Sequence, residues 1–281
     1  MNIMLWLALF AAPALSWQPR ARAAPFARRS VARPMGGDWN SRDGWGICKV
    51  LKNEPAGEGL RALTLEAGDP GLFAPYAVAG QFVQLAETAD SKPAFIALAS
   101  PPAEGAPTHD ILVKATENNA WLADASAGGE LCMSPAMGKG FPLAAAAAAA
   151  ADASAPLESV LLFAAGSGVA PLRAVIESGA LPCGATLYYG ARDEPFLAYA
   201  DRFGAWEEER GVKVVPVLSQ PSGDAWGGRR GYVQDALKAD GVPSPANSAA
   251  LLCGMKPMAE AVTAALTEAG VPAEGRILTN F

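Results

Sequence analysis

The sequence predicts two domains: a small six-stranded antiparallel β-barrel, followed by a doubly wound parallel α/β domain. Three observations carry this. Short β-type runs separated by Gly, Pro and Asp fill residues 45–141. From Leu157 onward, strand and helix patterns alternate. At the head of that second half, an apolar run at 160–165 breaks into Gly166-Ser167-Gly168, and a helical pattern then starts at Pro171.

In the first half the expected strands are 46–53, 60–67, 81–87, 94–99, 110–116 and 130–134, with breaks such as Gly68-Asp69-Pro70-Gly71 and Pro101-Pro102. Six strands at that spacing suit a small barrel. Asn119 is placed to cap a short helix through Trp121 and Leu122. An unbroken alanine run, Ala144 to Ala151, ends in Asp152-Ala153-Ser154-Ala155-Pro156 and has no amphipathic pattern. Residues 144–156 therefore read as a linker between domains at 38–143 and 157–281.

In the second half the pairs are strand 159–165 with helix 171–178, strand 186–189 with helix 196–209, strand 212–218 with helix 232–238, and strand 249–253 with helix 257–269. A short piece, 276–281, closes the chain. Ligands of such sheets bind at the carboxyl ends of the strands. Here those ends are Gly166-Ser167-Gly168, Gly190-Ala191-Arg192, Ser219-Gln220 and Cys253-Gly254-Met255.

The first of these ends has the chemistry of a phosphate site, because strand, glycine turn and helix aim backbone N–H groups and a positive dipole end at an anion. Gly166 allows the tight turn, and Gly168 lets a diphosphate approach the backbone. Pro171 suits a first helical turn. An ordinary strand–turn–helix shares the pattern, so the reading leans on its neighbours. A dinucleotide dehydrogenase carries an acid at the end of its second strand to hold the ribose. Gly190-Ala191-Arg192 has none.

Composition sets limits. With 281 residues, 51% hydrophobic and 18% charged, the chain is globular. The net charge of −6 hides an asymmetry, because Arg20, Arg22, Arg28, Arg29 and Arg33 all precede the first acid, Asp38. Without them 17 basic residues face 28 acidic ones, a net of −11, which speaks against nucleic acid as a partner. Residues 1–37 read as a targeting presequence. Its apolar run at 3–15 resembles a signal-peptide core, and the Arg- and Ala-rich stretch behind it resembles a transit peptide. In tandem they point to a plastid reached through a bipartite presequence, with secretion as the alternative. No second apolar run suggests a membrane segment in the mature chain. Cys48, Cys132, Cys183 and Cys253 lack metal or iron–sulfur spacing, and no metal site is expected. His109, the one histidine, reads as a solvated loop residue rather than a general base.

AGSGVAP (165–171), YYGAR (188–192), GYVQDAL (231–237), LLCGMKPMAEAV (251–262) and ILTNF (277–281) occur in that order. With the β-type half in front, the chain resembles the ferredoxin–NADP reductase superfamily, and within it the plant and algal fruit-protein-like branch. The resemblance implies an FAD-binding barrel, an NAD(P)-binding domain and an oxidoreductase that passes hydride from NAD(P)H to FAD and electrons onward. The acceptor is unidentified, and it must be a separate molecule because the chain has no iron–sulfur motif. The usual protein acceptor, ferredoxin, is acidic, and an acidic body disfavours that pairing.

The same resemblance assigns candidate residues. Gly166, Ser167, Gly168, Val169, Ala170 and Pro171 form the diphosphate turn. Gly190, Arg192, Ser219, Gln220, Arg230 and Tyr232 surround the ribose and its phosphate, with NADPH favoured. Gly254, Met255 and Met258 lie on the nicotinamide side, where Cys253 shapes the space between the two rings. Phe281 is the terminal aromatic that covers the flavin. AGQFVQL (79–85) and KPAFIALASPP (92–102) match the flavin strands. There the family's arginine falls on Pro93 or Ala94, its aromatic on Phe95 or Ile96 and its hydroxyl on Ala97, with Leu98, Ala99 and Ser100 completing the strand. The family's second phosphate clamp becomes Glu117-Asn118-Asn119. Asn119 and the helix start behind it remain for one phosphate, with Lys92, Lys114 and Lys139 as substitute cations. Charge and hydroxyl are both missing from the flavin strand, which leaves a nucleotide-binding redox sensor or an electron-transfer subunit as the alternative.

Overall fold

The computed structural model describes residues 41–148 and 156–280, all within one compact unit. The presequence, most of the expected linker and Phe281 lie outside the described residues. Strands β1 (Gly46–Gly57), β2 (Leu60–Ala67), β3 (Phe82–Ala86), β4 (Ala94–Ala97), β5 (Thr108–Lys114) and β6 (Glu130–Met133) form an antiparallel sheet in the order β4-β3-β6-β1-β2-β5. A further antiparallel bridge between Leu98 and Ile111 joins its two ends, so the sheet curls into a barrel. Alternation does the sorting. Cys48 and Val50 of β1 point into the core with Leu63 and Leu65 of β2, while Ile47 and Leu51 face out.

The second sheet is parallel, in the order β10-β9-β8-β7-β11-β12. Its strands are β7 (Ser159–Ala165), β8 (Ala185–Ala191), β9 (Val212–Leu218), β10 (Arg229–Arg230), β11 (Ser248–Cys253) and β12 (Ile277–Thr279). Val160 to Ala164 are buried without alternation, as a strand covered on both faces requires. Helices α3 (Val169–Ser178) and α4 (Phe203–Arg210) cover one face, where Leu172, Ile176 and Trp206 pack on Val160 and Leu162. Helices α5 (Val233–Asp240) and α6 (Lys256–Glu268) cover the other, packing Leu237, Val262 and Leu266 on Leu161 and Phe163. The barrel also carries a short helix α1 (Ala120–Ala123), and α2 (Leu143–Ala148) takes in the first alanines of the run, with Leu143 and Ala146 buried. Among the described residues no helix is long and apolar enough to cross a membrane, and no cluster of His, Cys, Asp and Glu could hold a metal.

Three elements differ from expectation. The helix expected at 196–209 begins only at Phe203, because Tyr199 takes a left-handed conformation at φ 61° that no helix accommodates. His109 is not in a loop. It sits in β5, 2% exposed, with its ring edge-on to Phe73 at 4.5 Å and Tyr76 at 5.0 Å. The first helix of the second half begins two residues earlier than Pro171, at Val169.

Candidate functional site

The chain leaves β7 toward one face of the parallel sheet and β11 toward the other, which opens a switch point between their carboxyl ends. The turn at Gly166-Ser167-Gly168 sits there and divides its work between two glycines. Gly166 has φ +54°, and a Cβ on it meets nothing within 4 Å, so its outer side is open. Gly168 is buried, and a Cβ there would lie 2.1 Å from the Cys253 carbonyl oxygen and 2.9 Å from the Gly254 nitrogen. The close approach that Gly168 permits is thus to this chain's own backbone, and the side open to a ligand belongs to Gly166. Gly254, at φ +154°, would place a Cβ 3.0 Å from that of Ala165. Behind the turn, α3 has no side-chain cap on its first N–H groups. Val169, Ala170 and Pro171 are buried and seat the helix.

At the neighbouring strand ends, β8 and β9 stop together: Ser219 N–H donates to Ala191 O at 3.0 Å and Gln220 N–H to Arg192 O at 2.8 Å. A Cβ on Gly190 would come 3.2 Å from a Val233 methyl, a tight contact that the valine would have to yield to. A carboxylate does stand just past β8. Asp193 accepts from the N–H of Glu194 and of Ser222 and pairs with the Ser222 hydroxyl. That hydroxyl and the N–H groups hold its pKa below the usual carboxylate range. Of the neighbouring cations, Arg229 is paired with Asp240. Arg230 reaches only backbone carbonyls, Trp226 O at 3.3 Å and Gly223 O at 3.5 Å. Arg192 lies 5.9 Å from the Phe196 ring centre, and Tyr232 is exposed.

On the other side of the switch point, Cys253 ends β11 with its thiol pushed up to about 12 by burial, so it stays protonated at neutral pH. Met255 projects, 64% exposed, while Met258 is buried beside Gly254.

On the barrel, the side chains of β4 alternate between its two faces. Ile96 and Leu98 turn into the barrel core, whereas Phe95 is 54% exposed on the outer face with its ring 5.8 Å from Phe82. Ala97 follows on the same face, and Ala99 joins the core shared by the two domains. The Ser100 hydroxyl is 2.9 Å from His109 Nδ1 and accepts from Asp110 N–H. Lys114 is exposed at the end of β5. Asn119 Oδ1 is turned back onto Thr116 N and Oγ1, each at 2.8 Å, and gives α1 no side-chain cap. An exposed aromatic beside a small residue fits a planar flavin ring. The phosphate end has less to offer, since the outer side of β4 bears no charge.

The residue that sequence reasoning missed is Arg173. It lies 5% exposed on α3, yet bonds Asp110 of the barrel at 2.9 Å and Glu177 at 3.0 Å and covers the Tyr199 ring at 4.8 Å. Glu177 in turn accepts from Arg202 and from Trp206 Nε1. The helix that starts at the turn is therefore fastened to the barrel by a half-buried ion pair. An arginine and a glutamate four apart on an apolar helix were the signal in the sequence.

Known proteins agree with this layout. Residues 162–264 match the oxidoreductase NAD-binding domain family. The fruit protein pKIWI502 of Actinidia deliciosa is 37% identical over 129 residues, 43% of this chain, and the match spans 39% of that relative. The Amycolatopsis cytochrome P450 reductase GcoB superposes with a TM-score of 0.68 at 24% identity, covering 84% of this chain and 69% of its own. A ferredoxin NADP+ reductase from Neisseria gonorrhoeae with bound FAD and NADP gives 0.66 at 18% identity, covering 84% and 98%. The cytochrome b5 reductase domain of Ulva prolifera nitrate reductase gives 0.66 at 14%, covering 85% and 98%. The part of the chain that resembles the oxidoreductase NAD-binding domain family is thus the parallel-sheet half, packed on an antiparallel barrel. Together the two halves have the fold of the ferredoxin–NADP reductase-like proteins, and in sequence the second is similar to the oxidoreductase NAD-binding domain family.

Proposed function

We propose that the protein is an FAD-dependent NAD(P)H oxidoreductase that passes electrons to a separate acceptor. One observation carries the reading: the open Gly166 turn and the exposed Phe95 belong to two domains fastened to each other through Arg173 and Asp110. Bound flavin supplies the hydride-accepting chemistry. This chain's residues bind and orient. The N–H groups from Ser167 onward hold the nucleotide diphosphate. Cys253 offers an uncharged thiol that shapes the ring space without competing as a nucleophile. Phe95 and Ala97 present the flat wall for the flavin ring, with Lys114 and Asn119 toward its phosphates, and Phe281 is the proposed cover of the opposite face. Met255 and Met258 border the nicotinamide side.

NADPH is the proposed donor, because Arg192 and Arg230 form no salt bridge among the described residues and can take a 2′-phosphate, although Arg192 also adds to the field that keeps Asp193 charged. Asp193 is already engaged by Ser222 and Glu194. The presequence reading favours a plastid location. A redox sensor with weak flavin binding is the second reading, favoured by the uncharged outer side of β4. The test is NADPH- and NADH-dependent reduction of ferricyanide by the FAD-loaded protein. NADPH should be used at least several times more efficiently. Arg192→Ala and Arg230→Ala should erode the ratio through KM, by about tenfold each for a phosphate contact of ~1.5 kcal/mol. Turnover with neither nucleotide would favour the sensor.

A further inference from the structure

Tyr189 is fully buried near the end of β8, and no motif reading gives it a role. Its phenol makes two hydrogen bonds: it donates to Gly166 O at 3.1 Å and accepts from Ala198 N–H at 3.1 Å. Gly166 O also accepts from Val169 N–H, so both its lone pairs face the interior. In a trans peptide the carbonyl and the N–H of the next residue point opposite ways, and the described residues contain no cis bond. Holding Gly166 O toward the buried phenol therefore sends the Ser167 N–H the opposite way, away from Tyr189.

The phenol itself has a fixed reference. Ala198 sits in the segment between β8 and α4, which the barrel grips through Glu58 N–H donating to Pro195 O at 2.8 Å. Burial pushes the Tyr189 hydroxyl above its ordinary range, so it remains a donor at every working pH.

We infer that Tyr189 is a positioning residue for the nicotinamide nucleotide, setting the Gly166–Ser167 peptide so that its N–H meets the diphosphate. This rests on the nucleotide reading proposed above. Calorimetric titration of FAD-loaded wild type and Tyr189→Phe with ADP-ribose, which has the diphosphate, and 2′-AMP, which lacks it, tests the inference. Tyr189→Phe should bind ADP-ribose about tenfold more weakly, the equivalent of ~1.4 kcal/mol, and 2′-AMP within about twofold of wild type. Equal weakening of both ligands, or of neither, overturns it, the first because the tyrosine is then merely structural. If wild type binds no ADP-ribose, the nucleotide reading itself has failed.

Should Tyr189→Phe not fold, amide exchange in the wild type decides. ADP-ribose should slow exchange in 166–170 and in the segment holding Ala198 together, and 2′-AMP should slow neither. Protection confined to 166–170 would overturn the inference.

Discussion

The two glycines of the nucleotide turn should respond oppositely to alanine. In Gly168→Ala the new Cβ would start 2.1 Å from the Cys253 carbonyl oxygen, when real contacts of that kind stay beyond 3.0 Å. Nearly 1 Å of backbone movement must follow, parting the start of α3 from the end of β11. Overpacking of a rigid core costs about 1–3 kcal/mol, and a backbone neighbour that cannot rotate away places this case at ~3. For a domain of this size that lowers Tm by roughly 6–12 °C. Gly166→Ala meets no atom within 4 Å, so its cost is the left-handed backbone alone, ~1–2 kcal/mol. Its methyl, however, stands on the side proposed for the diphosphate. Scanning calorimetry and NADPH titration should therefore show the larger loss of stability for Gly168→Ala and the larger loss of affinity per degree of Tm for Gly166→Ala. A Gly168→Ala protein as stable as wild type would refute the packing argument. A Gly166→Ala protein with unchanged NADPH affinity would refute the placement of the ligand.

Other outcomes follow from the same structure. Arg173→Met leaves Asp110 and Glu177 without their buried partner. Breaking such a pair costs about 3–5 kcal/mol, here nearer ~3 because the Asp110 side chain is 30% exposed, and urea unfolding measures it. His109 has a lowered pKa because burial opposes its charged form. The unfolded chain therefore takes up its proton first, and the histidine's contribution to stability is complete above pH 6.5 and is lost as pH falls below it. Unfolding at pH 7.5 and 5.5 should show that loss in wild type and a smaller one in His109→Gln. Loss on Asp193 begins only at lower pH, below its unfolded value near 3.8. With the Cys253 thiol moved from 9.0 to about 12, its thiolate at pH 8 is about a thousandfold scarcer. Iodoacetamide should accordingly label Cys253 far more slowly in the folded protein than in urea. Equal rates would contradict the burial assigned to it.

Local patterns were legible in the sequence, and contacts across the molecule were not. The uninterrupted apolar run of β7 and the breaks between barrel strands can be read residue by residue, and with them both sheets. Gly168 could be seen as a position needing glycine, but not that its neighbour is Cys253 rather than a ligand. Phe95 and Ile96 were equal candidates until strand phase put one outside and the other in the core. His109 reads as a loop residue because Pro and Gly precede it, and its burial depends on Phe73 and Tyr76, which come from another part of the chain. The late start of α4 follows from the left-handed Tyr199, a residue type that gives no warning of it. Asp193 with Ser222, Tyr189 with Gly166 and Arg173 with Asp110 are pairings that only the fold brings about.

The proposed function requires that flavin and nicotinamide nucleotide meet on this chain. Its most direct test is the absorption spectrum of protein beginning near Gly37, incubated with excess FAD, freed of unbound flavin and then given NADPH without oxygen. A yellow protein whose flavin band bleaches on NADPH addition is expected. A colourless protein, or a bound flavin that NADPH leaves oxidised, would contradict it.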